Sequence, residues 1–226
     1  MNDAGPARLL AVYGGTTFLV YLETDGFTKT SSSMMFGLPL ISLSFLTLTS
    51  SMQQRARLCT AASFAVLAMS RYLVVSKSSW EVMVLGYALV TIANLLYFYS
   101  FQHLIEEWSI AMTMFTTMFY TSLAYYCFAD LFVSIPFLVF LHLCSLGSSC
   151  LLVVAAGSVC LNNLETDYET YQAALIRFIG ALSNIGSNTI FLLSTFGRRV
   201  ETLQVVSRFM FYLSEGLLYL ANERTF

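Results

Sequence analysis

Two ionisable side chains lie deep inside long apolar stretches of the sequence, which are expected to be shielded from water that would solvate a charge. Arg71 lies in the stretch Leu58–Val75, and Glu215 lies in the stretch Val205–Ala221. A charge at the centre of a membrane helix costs about 2.5–3.5 kcal/mol, so such side chains usually face the interior of a bundle. We therefore expect Arg71 and Glu215 to face one polar cavity, where they could pair either as a structural ion pair or as part of a functional site.

Uncharged polar side chains extend this pattern along the same apolar stretches. Asn184 and Asn188 recur at helical spacing with Gly180, Ser183 and Ser187, which places all five on one helical face. Similar stripes are Thr60, Ser63, Ser70 and Arg71; Gly86, Ala93, Asn94 and Tyr97; and Arg208, Tyr212, Glu215, Tyr219 and Asn222. Such stripes either join helices through hydrogen bonds or line a cavity, and the spacing alone leaves both interpretations open.

Eight apolar segments carry these side chains. A helix needs roughly 20 mostly apolar residues to cross a membrane. The predicted segments are Leu9–Leu22, Met34–Leu48, Leu58–Val75, Val82–Phe101, Trp108–Cys127, Leu131–Val154, Ala173–Phe196 and Val205–Ala221. The polar breaks between them are short, which favours antiparallel neighbours. The sequence predicts one all-α integral membrane domain over residues 1–226, a multi-pass bundle of about eight transmembrane helices with an internal polar cavity.

The composition excludes several other classes of protein. Of the 226 residues, 57% are hydrophobic and 11% are charged, which is too few charges for an ordinary cytosolic domain or a disordered chain. A net charge of −2 without a basic patch gives no case for nucleic-acid binding. His103 and His142 lie on different segments without a cluster of ligands, so neither a metal nor a cofactor is expected, and His142 is predicted to be a satisfied core residue.

Four local patterns, taken in order and spacing, are similar to those of a known membrane family. They are Ser70-Arg71-Tyr72-Leu73, Ala93–Tyr97 followed by Ser100-Phe101, Gly180–Phe196, and Phe211–Glu215. Through them the chain resembles the lysoplasmalogenase, or YhhN-like, membrane proteins over nearly its whole length. The resemblance implies eight helices around a lipid-binding cavity, and a location in the endoplasmic reticulum or another internal membrane.

The chain departs from this family at the positions that the resemblance assigns to catalysis. The family's two membrane-embedded aspartates fall at Ser70 and Asn188, its histidine at Asn94 and its late glutamine at Glu215. The family cleaves the vinyl-ether bond of a lysoplasmalogen with water and releases a fatty aldehyde. That chemistry needs an acid to protonate the enol-ether carbon and a base for water, and serine and asparagine side chains supply neither at neutral pH. Glu215 is the one residue that could replace a missing carboxyl.

Three functions follow as hypotheses. The favoured one is a member of the family without catalysis, in ether-lipid metabolism, that binds a lysophospholipid or another lipid. Its predicted binding residues are Arg71, Asn94, Tyr97, Asn184 and Tyr212. The alternative is an active vinyl-ether hydrolase that uses Glu215 as its catalytic group. The third is a small carrier or channel subunit, because charges inside a membrane also mark ion and substrate paths.

Overall fold

Helices form nearly all of the chain that the computed structural model describes, which is residues 7–28, 33–76, 79–164, 167–196 and 201–226. These ranges contain no strand. Their α-helices are α1 (Gly15–Glu23), α2 (Ser33–Leu48), α3 (Gln54–Ser76), α4 (Trp80–Phe101), α5 (Ile110–Phe128), α6 (Pro136–Asn162), α7 (Tyr168–Phe196) and α8 (Glu201–Thr225). A π-helical turn, Leu9–Gly14, leads into α1, and a 3-10 turn, Gln102–Leu104, follows α4. The predicted all-α fold class is confirmed.

Four of the described helical stretches are long and apolar enough to cross a membrane. They are Gln54–Ser76, Glu81–Leu104, Pro136–Asn162 and Tyr168–Phe196. Helix α2 is also apolar, but its 16 residues make it shorter than an ordinary membrane span. The chain is therefore compatible with an integral, multi-pass membrane protein. Each predicted segment overlaps a helix, whereas eight membrane crossings and a lipid-sized internal cavity stay predictions.

Both boundaries of α6 differ from the predicted ones, Leu131 and Val154, since the helix extends from Pro136 to Asn162. The apolar run suggested a helix from Leu131, but residues 129–134 form turns and α6 begins at Pro136. A proline disfavours a helical backbone in the residue before it, and Ile135 accordingly has φ −138° and ψ 58°. Proline itself fits the first turn of a helix, where its missing N–H is not needed.

The polar faces converge because α8 closes the bundle. Consecutive helices pack together from α2 to α4 and from α6 to α8, while α4 packs on α6 and α8 also packs on α2 and α3. Helices α3 and α4 approach closely at Gly86, where an added Cβ would lie 2.6 Å from Cγ2 of Val74 and 3.3 Å from the carbonyl oxygen of Ser70. This close approach places Ser70 and Arg71 near α4, where α3 and α4 line a pocket.

Candidate functional site

A small pocket of about 40 Å³ lies between α3, α4, α6 and α7, with Ser207 of α8 at its wall. That volume has room for about three water molecules. Its polar lining includes Ser70, Arg71, Tyr87, His142, Ser187 and Asn188. None of the described residues that line it is an aspartate or a glutamate. The pocket is thus polar, and arginine is the permanently charged side chain in its wall.

Arg71 brings a guanidinium without a hydrogen-bonding partner to this pocket. Its Cζ lies 3.6 Å from the ring centroid of Phe211, a cation–π contact. Within the described ranges its side chain makes no hydrogen bond, and its Nε is buried. A guanidinium carries five N–H donors, and a buried donor left without an acceptor costs about 1–3 kcal/mol. Arg71 is therefore arranged to receive an acceptor that the described chain does not supply.

Glu215 does not form an ion pair with Arg71 in the described structure, although the sequence left such a pair possible. Its side chain is 3% exposed, and its Oε1 accepts a hydrogen bond from Nδ2 of Asn184 at 3.2 Å. Phe211, one helical turn earlier on α8, occupies the space beside the Arg71 guanidinium. Glu215 is also absent from the pocket lining. The two charges face the same region of the bundle, but they lie one turn apart and no ion pair joins them in the described structure.

A chain of hydrogen bonds connects the pocket to Glu215 through Ser149 of α6. Oγ of Ser149 accepts from Nδ2 of Asn188 at 2.6 Å and from Nδ2 of Asn94 at 3.1 Å, and it donates to Oδ1 of Asn184 at 3.0 Å. Asn184 then donates to Glu215. Asn94 and Asn184 are therefore connected to the pocket through serines of α6, Asn94 through both Ser148 and Ser149, whereas Asn188 lines the pocket. The sequence analysis missed Ser149, although Ser145, Ser148 and Ser149 recur at helical spacing.

Three other predicted residues use their hydroxyl groups to join helices. Oγ of Ser70 donates to the carbonyl oxygen of Gly86 at 2.8 Å, while Ser70 also lines the pocket. The Tyr97 hydroxyl donates to the carbonyl oxygen of Leu218 at 2.8 Å, and the Tyr212 hydroxyl to that of Phe36 at 2.9 Å. Tyr97 and Tyr212 lie outside the pocket lining. The pocket thus brings together Ser70, Arg71 and Asn188 from the predicted set.

His142 differs from the satisfied core histidine that the sequence suggested. Its side chain is 5% exposed, and Nδ1 lies 3.0 Å from the carbonyl oxygen of Leu138 on its own helix. Nε2 is buried and has no hydrogen-bond partner among the residues that the structure describes. His142 lines the pocket together with Tyr87, whose ring centroid is 4.3 Å away. A signal existed in the sequence, since His142 lies one helical turn before Ser145 on the polar side of α6.

A second buried arginine, which the sequence analysis missed, forms a separate group that we call the Arg177 cluster. The members of the cluster are Arg177, Asn222, Thr225, Thr60, Ser100 and Tyr97. Nη2 of Arg177 donates to Oδ1 of Asn222 at 3.2 Å and to Oγ1 of Thr225 at 2.8 Å. Its guanidinium lies 4.9 Å from the Phe101 ring centroid. Arg177 lies two helical turns before Asn184 on the same face of α7, and this spacing could have revealed it.

The side chains around the pocket can donate and accept hydrogen bonds, but its described lining contains no carboxyl group. Arg71 offers donors and Nε2 of His142 lacks a partner, while the nearest carboxyl described above, that of Glu215, is bonded to Asn184. No group of three or more potential metal ligands occurs in the described parts of the chain. These features suit the binding of an anionic or hydroxyl-bearing group.

Comparison with known proteins gives no match: no protein-family model, no curated protein and no solved structure is significantly similar to the chain. Function is therefore inferred from the chemistry of the pocket and from the residue patterns in the sequence.

Proposed function

We propose that the protein is a multi-pass membrane protein of ether-lipid metabolism that binds a lysophospholipid without cleaving it. The observation that carries this proposal is the Arg71 guanidinium, which lies at a polar pocket with no hydrogen-bonding partner in the described chain. Guanidinium groups bind phosphate oxygens through parallel, charge-assisted hydrogen bonds. The phosphate of the lipid headgroup would thus lie against Arg71.

The lack of an acid in the pocket supports binding rather than cleavage. The positions that the resemblance assigns to catalytic aspartates hold Ser70, which donates to the Gly86 carbonyl oxygen, and Asn188, which donates to Ser149. Neither group can protonate an enol ether at neutral pH. A pocket with an arginine and no lining carboxylate binds the phosphate of a lysoplasmalogen but leaves its vinyl-ether bond intact.

The size of the pocket restricts how a lipid would lie. About 40 Å³ accommodates a headgroup phosphate in place of water, but not an alkyl chain. The alkyl chain would lie along the outside of the bundle, where many large apolar side chains are exposed. In this proposal all eight helices cross the bilayer, with the short α1 and α2 at a locally thinner part. The proposal also includes the location that the resemblance implies, the endoplasmic reticulum or another internal membrane.

One observation favours the alternative, a vinyl-ether hydrolase. The hydrogen bonds from Asn188 through Ser149 and Asn184 end at the buried carboxyl of Glu215. Glu215 is therefore connected to the wall of the pocket by hydrogen bonds, although it does not line the pocket itself, and the alternative requires a rearrangement that brings its carboxyl to the ligand. The hydrolase hypothesis predicts that Glu215→Gln abolishes the release of aldehyde while lysolipid binding survives.

The test measures binding and cleavage on the same purified protein in detergent. A lysoplasmenylethanolamine is added, its affinity is obtained from the ligand-dependent rise in the unfolding temperature, and released aldehyde is assayed in parallel. Arg71→Gln is compared with Arg55→Gln, the same change at an exposed position of α3. We expect wild type and Arg55→Gln to bind without releasing aldehyde, and Arg71→Gln to bind roughly 10- to 100-fold more weakly.

Other results would point elsewhere. Aldehyde release by the wild type that is lost in Glu215→Gln would identify the hydrolase and overturn the non-catalytic proposal. Equal weakening by Arg71→Gln and Arg55→Gln would remove Arg71 as the phosphate ligand. No ligand-dependent change in any variant, together with ion flux in liposomes that Arg71→Glu alters, would favour the carrier or channel hypothesis.

A further inference from the structure

Neutral His142 has a defined tautomer and offers the pocket a hydrogen-bond acceptor. Nδ1 lies 3.0 Å from the Leu138 carbonyl oxygen, and a carbonyl oxygen can only accept. The ring proton of neutral His142 is therefore on Nδ1, and Nε2 carries an unshared lone pair. Nε2 is buried without a partner in the described chain, so the lone pair is unused. An acceptor of this kind needs a donor from outside the described residues.

Aromatic neighbours hold the His142 ring in this position. Its centroid lies 4.3 Å from that of Tyr87 and 5.4 Å from that of Phe196, and its plane is within 3° of parallel to the Phe191 ring. Rotation of the ring would break both the bond to Leu138 and these contacts. The donor must therefore come to Nε2, because the ring is not free to turn toward another partner.

Arg71 and His142 line the same pocket, where Arg71 lacks a hydrogen-bond acceptor and His142 lacks a hydrogen-bond donor among the described residues. The guanidinium of Arg71 presents only donors, and Nε2 of neutral His142 presents only an acceptor. A phosphate satisfies Arg71 but cannot donate to His142 when fully ionised. A ligand that satisfies both residues in so small a space carries an anion and, close to it, a hydroxyl group.

We propose that Nε2 of His142 accepts a hydrogen bond from the free glycerol hydroxyl of the lysolipid whose phosphate lies on Arg71. This inference rests on the proposed function and names the part of the ligand that the protein selects. Only two carbon atoms separate that hydroxyl oxygen from the phosphate ester oxygen, which suits a pocket of about 40 Å³. In a diacyl lipid the same oxygen carries an acyl group and cannot donate, so His142 favours a lysolipid over its acylated form.

The decisive measurement compares two ligands that differ at one atom. An alkyl lysophosphocholine and its deoxy analogue, which has hydrogen in place of the glycerol hydroxyl, are titrated into wild-type protein in detergent. We expect the hydroxyl form to bind roughly 10-fold or more tightly, because the deoxy form leaves Nε2 buried and unpaired. Equal affinities would overturn the role of His142 and leave phosphate binding intact. Binding of neither ligand would instead overturn the proposed function.

Two variants then assign the preference to a residue. His142→Phe places another ring among Tyr87, Phe191 and Phe196, and we expect it to bind both ligands with the affinity that wild type has for the deoxy form. His103→Phe makes the same change at an exposed histidine and should keep the full preference. A preference that persists in His142→Phe would contradict the proposal. If that variant does not fold, the comparison of the two ligands on wild type still decides.

Discussion

Two arginines inside this bundle, Arg71 and Arg177, differ in the hydrogen-bond partners that the chain supplies to them. Arg177 is 1% exposed, and its Nη2 donates to Asn222 and Thr225 near the end of α8, while its Nε, like that of Arg71, is buried without a partner in the described chain. Its guanidinium also faces Phe101, at the end of α4. The carboxyl ends of helices carry partial negative charge, which stabilises a cation there. Arg71 contacts the Phe211 ring but makes no hydrogen bond in the described structure, and it lines a pocket.

We interpret the difference as one between a cation that stabilises the fold and a cation that, in the proposed function, binds a ligand. The acceptors of Arg177 come from the chain itself, so this arginine contributes to the closure of α8 against α7. The described residues give the Arg71 guanidinium the Phe211 ring but no hydrogen-bond acceptor, so a ligand that brings an acceptor would offset more of its desolvation. Stability should therefore depend on the Arg177 cluster, and ligand affinity on Arg71.

The largest effect is expected at Asn222, which connects the Arg177 cluster. Its Nδ2 donates to Oγ1 of Thr60 at 2.8 Å and to Oγ of Ser100 at 2.9 Å, and its Oδ1 accepts from Arg177. Asn222→Ala removes these three bonds and a fourth, which Oδ1 accepts from the Tyr97 hydroxyl at 3.3 Å, and it leaves a buried guanidinium short of an acceptor. We expect a loss of about 3 kcal/mol in the free energy of unfolding, measured by denaturant titration in detergent.

Asn188→Ala is the matched control for that measurement. It makes the same chemical change beside the pocket, where the side chain donates one hydrogen bond to Ser149. A loss of about 1 kcal/mol is expected, in line with one hydrogen bond. Equal losses in the two variants would mean that the two polar regions contribute alike to stability, and the contrast between them would fail.

The next largest effect compares the two arginines directly in the absence of ligand. Arg177→Met leaves acceptors on Asn222 and Thr225 without their donor and should lower the free energy of unfolding by about 2 kcal/mol. Arg71→Met breaks no hydrogen bond within the described chain, removes a desolvated charge and keeps an apolar contact with Phe211. Its unfolding temperature should stay the same or rise. If Arg71→Met destabilises the protein as much as Arg177→Met, Arg71 is a structural residue.

The sequence predicts the helices better than it predicts their polar contacts, and the reason is physical. Apolar segments of sufficient length have few alternatives to a helix in a membrane, so the eight segments all overlap helices. Helical spacing also shows which residues share a face, and it correctly grouped Asn184 with Asn188. Spacing does not show which face of a neighbouring helix lies opposite. Ser149 and Arg177 belong to the contacts between helices, and for that reason they were missed.

The ion pair between Arg71 and Glu215 that the sequence left possible is not formed, for the same reason. Sequence arguments can pair Arg71 with Glu215 because both are buried charges, but they cannot detect the ring of Phe211 beside the guanidinium or the amide of Asn184 beside the carboxyl. Both neighbours are at helical spacing from other residues in the polar stripes. Their side-chain directions depend on how α7 and α8 pack, which is a tertiary property.

A smaller effect is expected at Gly86, where α3 and α4 approach beside the pocket. An alanine Cβ there would lie 2.6 Å from Cγ2 of Val74, a stiff β-branched side chain, so the two helices must separate slightly. We expect Gly86→Ala to lose about 1 kcal/mol of stability and to weaken lysophosphocholine binding, because Ser70 and Arg71 move with α3. Binding is measured by the ligand-dependent shift in unfolding temperature.

Gly157→Ala on α6 provides the control for this change. Its added Cβ would meet Cε of Met112 at 2.5 Å, the end of a flexible side chain that can move aside, and Cε2 of Phe178 at 3.1 Å, so that ring must shift by a few tenths of an ångström. The gain in helix propensity, about 1 kcal/mol, offsets the crowding. Gly157→Ala should therefore leave both stability and binding unchanged. Weaker binding in Gly157→Ala would show that helix packing in general, rather than the position of α3, controls the pocket.

The smallest effect is expected at Glu215. Its variant tests whether this carboxyl contributes to the fold, as Arg177 does, or to ligand binding, as proposed for Arg71. Glu215 resembles Arg177 in that the chain provides its hydrogen-bond partner, Asn184, and it lies outside the pocket lining. Glu215→Gln keeps an oxygen that accepts from Asn184, so the free energy of unfolding should change by less than about 1 kcal/mol. Lysophosphocholine affinity should also be unchanged, as measured by titration beside the wild type. A change in affinity comparable with that of Arg71→Gln would mean that Glu215 acts on the pocket through Asn184 and Ser149. Glu215 would then contribute to ligand binding, as proposed for Arg71, rather than to the fold, as Arg177 does.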